Sequence, residues 1–321
     1  MRFHSLILAP LAATAGLVLV ASSLEFAPDA GTKLTKKVTA TNSVKTTELQ
    51  VLINGEEPEG MPEGEFSYES TDEFVFEDEF AKCADGRATD LKRTFKSLST
   101  KSSQGGGEET TEREKESDLA SKTVRFQWDA DKEEYKTKFV GDEGDDALLA
   151  DLDPDLDFLH FLPKKSVKEG DEWEVDGRDA AILMFPGGDL KMHSSEDDES
   201  DDQMDKSLRE HLGGKLTVTH KGEKSEDGAQ LVVLEFKGEL TTQGESENEE
   251  RGRTSLDIHL DVTGEILWDA KAHHVHSAKM HGKDKTHYNV TLEIHHGEES
   301  ATIEQKLTFE GDATLELELE D

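Results

Sequence analysis

Apolar positions recur mostly at period two along this chain, the mark of half-buried β-strands. Leu34, Val38, Ala40 and Val44 share one parity within a Thr- and Lys-rich run, and Leu49 to Ile53 is a continuous apolar strand. Phe66, Tyr68, Phe74, Phe76 and Phe80 share one parity of a long strand whose other parity is largely acidic. Asp85-Gly86 is a two-residue hairpin signal, after which the chain returns through Leu91, Arg93 and Phe95. Residues 99–118, with Gly105-Gly106-Gly107, read as a mobile loop or a long hairpin tip. Val124, Phe126 and Trp128, then Tyr135, Thr137 and Phe139, form two further strands.

The periodicity changes once. Leu148, Leu149, Leu152, Leu156 and Leu159 recur at helical spacing, which predicts a short helix over 147–160, interrupted by Pro154 and ended by Pro163. Gly170-Asp171 then turns the chain, and Trp173 and Val175 restart a strand. In the C-terminal portion Leu256, Ile258, Leu260 and Val262 alternate strictly with polar residues. Hairpins are expected at Val262-Thr263-Gly264, at His281–Lys285 and near Gly311, the first setting Leu260 opposite Ile266. The expected fold is mainly β: a large curved antiparallel sheet, half-barrel-like or split into two packed β halves, with one short helix. The expected organisation is a signal peptide over 1–23, an N-terminal β half over 24–140, an acidic helical connector over 141–163 and a C-terminal β half over 164–321. The two halves can also form one continuous domain.

Composition narrows the functions. With 73 acidic against 36 basic residues the net charge is −37. This excludes nucleic-acid binding through the phosphate backbone and disfavours anionic membrane surfaces, while cations remain acceptable partners. Arg2, an apolar run from Leu6 to Ala21 and small residues Ala21-Ser22-Ser23 read as an export signal, with a retained anchor as the alternative, and a secreted or periplasmic setting is expected. This run is shorter than the roughly 20 residues that a transmembrane span needs, and no later apolar run approaches that length. The single cysteine, Cys83, allows no internal disulfide and sits in no thiol-activating motif.

Candidate chemistry is sparse. Asp151, Asp153, Asp155 and Asp157 alternate as in a calcium loop, but Leu156 stands where the loop needs glycine and Leu162 where it needs glutamate. Eight of the thirteen histidines lie between His259 and His296. With the hairpins above, His273, His287 and His295 share a face with Glu293, a donor set suited to zinc, completed from His259 or His287. No cofactor is expected; zinc and calcium are the ions to consider if one is held. No G-x-S-x-G elbow, phosphate-cradling glycine loop or dinucleotide fingerprint is present.

Leu162-Pro163 followed by Val167, Gly170-Asp171 and Trp173, together with the Asp85-Gly86-Arg87 turn, Leu91 and Arg93, resembles segments of uncharacterised exported bacterial β-rich proteins. The resemblance implies export and a β-rich fold, and carries no activity. In shape alone the expected architecture is also similar to the half-barrels of periplasmic lipoprotein carriers. The function expected is that of an exported, non-catalytic binding or envelope-associated protein. Phe74, Phe76, Trp128, Trp173 and Trp268 would offer a curved surface to an apolar small molecule or an envelope protein. The alternative is a metal-binding protein or metal-dependent hydrolase using the histidine-rich hairpin.

Overall fold

The structure, a computed structural model, describes residues 24–58, 65–106, 109–141, 144–194, 199–226, 228–248, 252–296 and 299–320. The expected signal peptide lies outside the described residues.

The strands are β1 Thr32–Ile53, β2 Phe66–Ala84, β3 Arg87–Gly106, β4 Glu109–Ser117, β5 Thr123–Asp129, β6 Glu134–Phe139 and β7 Glu172–Asp176. They continue as β8 Met192–His193, β9 Gly213–Glu226, β10 Ala229–Asn248, β11 Gly252–Asp269, β12 His274–His296 and β13 Glu299–Glu320, with one α-helix, α1 Glu199–Glu210. They form one open antiparallel sheet in the order β6-β5-β3-β2-β1-β13-β12-β11-β10-β9-β7, with β4 paired to β3 and β8 paired to β4. The first and last strands, β1 and β13, pair along almost their whole length. This pairing makes the N- and C-terminal halves a single continuous sheet. Asp85 and Gly86 have φ of 53° and 71°, as the primed hairpin turn between β2 and β3 requires.

The sheet is curved. Phe26 meets Phe80 of β2 at 5.5 Å and Trp268 of β11 at 6.5 Å between ring centroids, so those two rings lie within about 12 Å of each other. In a flat sheet the four strand steps from β2 to β11 would span about 19 Å. One extended core fills the concave side, where inward residues of β1 to β13 meet the segment 144–192. This segment leaves β6 at one edge of the sheet and crosses to β7 at the other. It then returns to place β8 against β4, with Glu116 opposite His193. Its Leu156, Phe158, Phe161, Val167, Ala180 and Leu183 are all buried.

The structure corrects two expectations. No α-helix occupies 147–160; short 3-10 turns at Asp146–Leu149 and Leu159–Phe161 stand there, and the Leu spacing serves a winding segment that buries Leu149 and Leu156 in the core. The helix falls instead in the acidic run after Ser194, where Met204 and Leu208 pack against Gly244 of β10. The second correction concerns the hairpins. Gly264, Gly282 and Gly311 lie inside unbroken strands β11, β12 and β13. Leu260 accordingly faces Leu240 and Asp284 rather than Ile266.

Each of these glycines marks a close approach. A Cβ on Gly264 would collide with the Phe236 ring and the Lys279 carbonyl, one on Gly282 with Leu260, and one on Gly311 with the Ser43 carbonyl. Inward glycines in neighbouring strands let the sheet bend over its own large side chains. The strands are twice the expected length because glycine here relieves crowding and does not reverse the chain. Gly264→Ala is therefore expected to destabilise the fold by about 1–3 kcal/mol, as overpacking does. Urea unfolding followed by circular dichroism checks this, and an unchanged midpoint would return Gly264 to a turn.

Candidate functional site

Three adjacent strands each place one ionisable residue on the core-facing parity: Lys36 in β1 between Leu34 and Val38, Asp78 in β2 between Phe76 and Phe80, and Arg93 in β3 between Leu91 and Phe95. All three are fully buried. Asp78 pairs directly with Arg93 across the β2–β3 ladder. It accepts from Arg93 Nε at 2.7 Å on Oδ1 and from Nη2 at 2.9 Å on Oδ2. Lys36 Nζ donates to Asp78 Oδ2 at 3.1 Å and to Asp157 Oδ2 at 2.7 Å. The remaining Arg93 donors reach the backbone of the crossing segment, at Asp153 O (2.9 Å) and Pro154 O (2.8 Å). Two cations and two anions thus close a neutral cluster that fastens residues 153–157 to the sheet. Phe76 and Phe126 flank the guanidinium and Phe80 the ammonium. Burial alone would push the Asp78 carboxyl up, but the Arg93 and Lys36 charges and their hydrogen bonds outweigh it and hold it below the ordinary carboxylate value.

The aspartates of this segment are used internally, not as a calcium loop. Asp153 Oδ1 accepts from Asp155 N at 2.8 Å, and Asp155 Oδ1 accepts from Asp157 N at 2.8 Å, giving successive Asx-turns. Asp155 Oδ2 also accepts from Leu159 N at 3.0 Å. Burial, with Asp153 and Asp157 close by, pushes the Asp155 carboxyl up to about 7.

Beside the cluster lies a cavity of about 760 Å³. Leu24, Phe26, Phe80, Ala88 and Leu162 supply its apolar wall, and Asp155, Asp157, His160, Arg87, Lys164 and Lys165 its polar part. Asp157 is almost wholly buried, and its Oδ1 has no hydrogen-bond partner among the described residues. A second cavity of about 650 Å³ lies across residues 159–165, lined by Trp173, Val167 and Val175. The short loop carrying Leu159, His160 and Leu162 is the septum between the two.

The predicted site residues divide. Phe74, Phe76 and Trp268 are buried in the core under the crossing segment, which covers the face expected to be open. Trp128 stacks edge-on to Tyr135 at 5.0 Å beneath Arg87, 4.1 Å from the ring. Trp173 lines the second cavity, its Nε1 donating to Phe161 O at 3.0 Å. The expected metal set does not assemble, because it rested on a hairpin at 281–285 that is unbroken strand. His273 sits in the turn before β12, its Nδ1 3.2 Å from Glu25 O, and His287 sits fourteen positions further on, 3.1 Å from Thr308 Oγ1. At strand rise that separation is about 46 Å, and Glu293 lies about 20 Å beyond His287. The His295 side chain lies outside the described residues.

Comparison with protein-family models, curated proteins and solved structures finds no match for this chain. These comparisons lend no support to the resemblance expected of the central segment. In the structure these residues make the septum and its supports: Val167 is buried, Gly170 turns with φ of 87°, and Trp173 bonds back to Phe161.

Two outcomes follow from the charges. Asp78→Ala leaves Lys36 and Arg93 with an uncompensated buried charge and is expected to cost about 3–5 kcal/mol in chemical denaturation; a loss below about 1 kcal/mol would show the cluster to be hydrated. Asp155 has the opposite sign. Its raised value favours the fold at low pH, and that contribution is lost as pH climbs from the ordinary 3.8 to about 7. Asp155→Asn retains an oxygen for the Asx-turn and removes the charge. Its melting temperature is expected to match the wild type near about pH 4 and to exceed it near about pH 8. Equal curves throughout would place Asp155 in solvent.

Proposed function

We propose that the protein is an exported, non-catalytic binding protein that holds a small amphipathic molecule in the cavity beneath residues 154–166, with an apolar body and a cationic, hydrogen-bond-donating end. The observation that carries this reading is Asp157 Oδ1, a buried carboxylate oxygen with no hydrogen-bond partner among the described residues, in a residue that lines a cavity of about 760 Å³ whose wall is about evenly polar and apolar. Cavities of about 300–1,000 Å³ with a few polar groups among apolar walls are the usual form of small-molecule sites. The chain's net charge of −37 draws cations toward it.

Binding fits these residues better than turnover. Burial and the Asp157 charge push the Cys83 thiol up to about 11, so it carries little thiolate near neutrality. The Tyr135 hydroxyl donates to Ala88 O at 2.8 Å, and burial pushes it up to about 12. Export is supported by the apolar run ending at Ala21 and by Leu24 and Phe26, which are buried in the core immediately after it. Among the described residues no helix is long and apolar enough to cross a membrane.

The test is calorimetric titration of the full chain with octylamine, octanol and octanoate. Octylamine is expected to bind at least about tenfold more tightly than octanoate, in keeping with a charge-assisted hydrogen bond. Asp157→Asn keeps an oxygen for Lys36 but turns the free acceptor into a donor, and is expected to abolish that preference. Octanoate binding as tightly as octylamine, or no heat from any of the three, would falsify the assignment.

A further inference from the structure

The outer face of the β10–β11 ladder carries a group that the cavity does not involve. Glu239 of β10 stands directly opposite Asp261 of β11, two like charges on facing residues. Such a pair is destabilising unless a cation lies near it. His259, two residues before Asp261 and on the same face, brings its Nε2 to 3.3 Å from Glu239 Oε2. One ligand atom from each of Glu239, His259 and Asp261 lies within 4.8 Å of the other two, the one such trio among the described residues. Their face is the one opposite the core, because Leu240, Leu260 and Val262, the residues between and beside them, point inward.

Lysines flank this trio but are engaged elsewhere. Lys215, opposite Glu239 on β9, bonds Glu174 at 2.8 Å. Lys283, opposite Asp261 on β12, bonds Asp312 at 2.5 Å, and Lys285, opposite His259, bonds Glu310 at 3.2 Å. None of the three forms an ion pair with Glu239 or Asp261. Among the described residues, the ion-pair contact made to these two carboxylates is that of His259 Nε2 with Glu239.

We propose that Glu239, His259 and Asp261 form a surface site for a divalent transition-metal ion, for which zinc is the probe. One imidazole and two carboxylates are a donor set that such ions take readily, and three protein ligands leave a further position for water. Donor atoms of one tetrahedral ion lie about 3–3.5 Å apart at metal–ligand distances of about 2.0–2.2 Å. The three side chains reach that spacing by rotation, since Glu239 and Asp261 are exposed and His259 is half-buried. Backbone pairing holds the three Cα atoms in place, so the ion orders side chains without moving the sheet. The site is independent of the cavity on the concave side.

The experiment is equilibrium dialysis of chelator-stripped full-length protein against zinc, with elemental analysis and with circular dichroism to confirm the fold of each variant. The wild type is expected to retain one zinc per chain. His259→Ala is expected to lose it, and Asp261→Asn to hold it at least about tenfold more weakly. His281→Ala serves as control, because His281 is another exposed strand histidine beside a carboxylate, its Nε2 3.3 Å from Asp312, and is expected to keep the full equivalent. No bound zinc in the wild type, an unchanged equivalent in His259→Ala, or equal losses in His259→Ala and His281→Ala would each overturn the site.

Discussion

Everything on the concave side depends on the buried cluster of Lys36, Asp78, Arg93 and Asp157. Taking four charges out of water is expensive, and an apolar replacement of the same volume would often be as stable. The cluster's contribution is to position. Arg93 and Lys36 can satisfy their donors only when residues 153–157 present two backbone carbonyls and one carboxylate at that spot on the sheet. The cluster also fixes the pairing of β1, β2 and β3, since a slip of one residue would turn all three charges to the outer face.

The crossing segment and the inward glycines solve a common problem. A sheet of eleven strands in sequence would leave a long apolar face exposed if flat. Bending at positions such as Gly264, Gly282 and Gly311 brings its inner surfaces together, and the segment 144–192 fills the space that remains. The Phe161 ring, 5.3 Å from Phe236 and 5.5 Å from Phe158, is where that filling meets the far side of the sheet. The long strands outrun the filling. At the far end of β1 and β12, Ile53 and Ile294 are exposed.

The cavity is a by-product of this construction. A segment tethered by charge at 153–157 and by aromatic packing at 158–161 bridges the floor formed by Leu24, Phe26 and Phe80 without filling it. Asp155, whose carboxyl is spent on capping the turn, stays near neutrality in its titration because burial and two neighbouring aspartates oppose its charge. Asp157 bonds Lys36 with one oxygen, and its other oxygen has no partner among the described residues.

Sequence alone determined the fold class, the Asp85-Gly86 hairpin and the identity of most core residues, because alternation in a strand depends only on local geometry and on which face is wet. The buried ion cluster left a trace as well: Lys36, Asp78 and Arg93 interrupt apolar rows on the parity that should be buried. That trace shows that charges go inside, but not that they meet, since three strands must first pair in one register. Tertiary structure alone decided three things. Glycines within β11 to β13 proved to be points of close approach, because the ring and carbonyl they accommodate come from neighbouring strands. The leucines of 148–159 proved to belong to a winding segment, because a concave sheet rewards filling its volume over helical hydrogen bonding. Histidines expected to converge were drawn far apart along one strand, while His259 met carboxylates brought beside it by strand pairing, a contact that spacing along the chain does not encode.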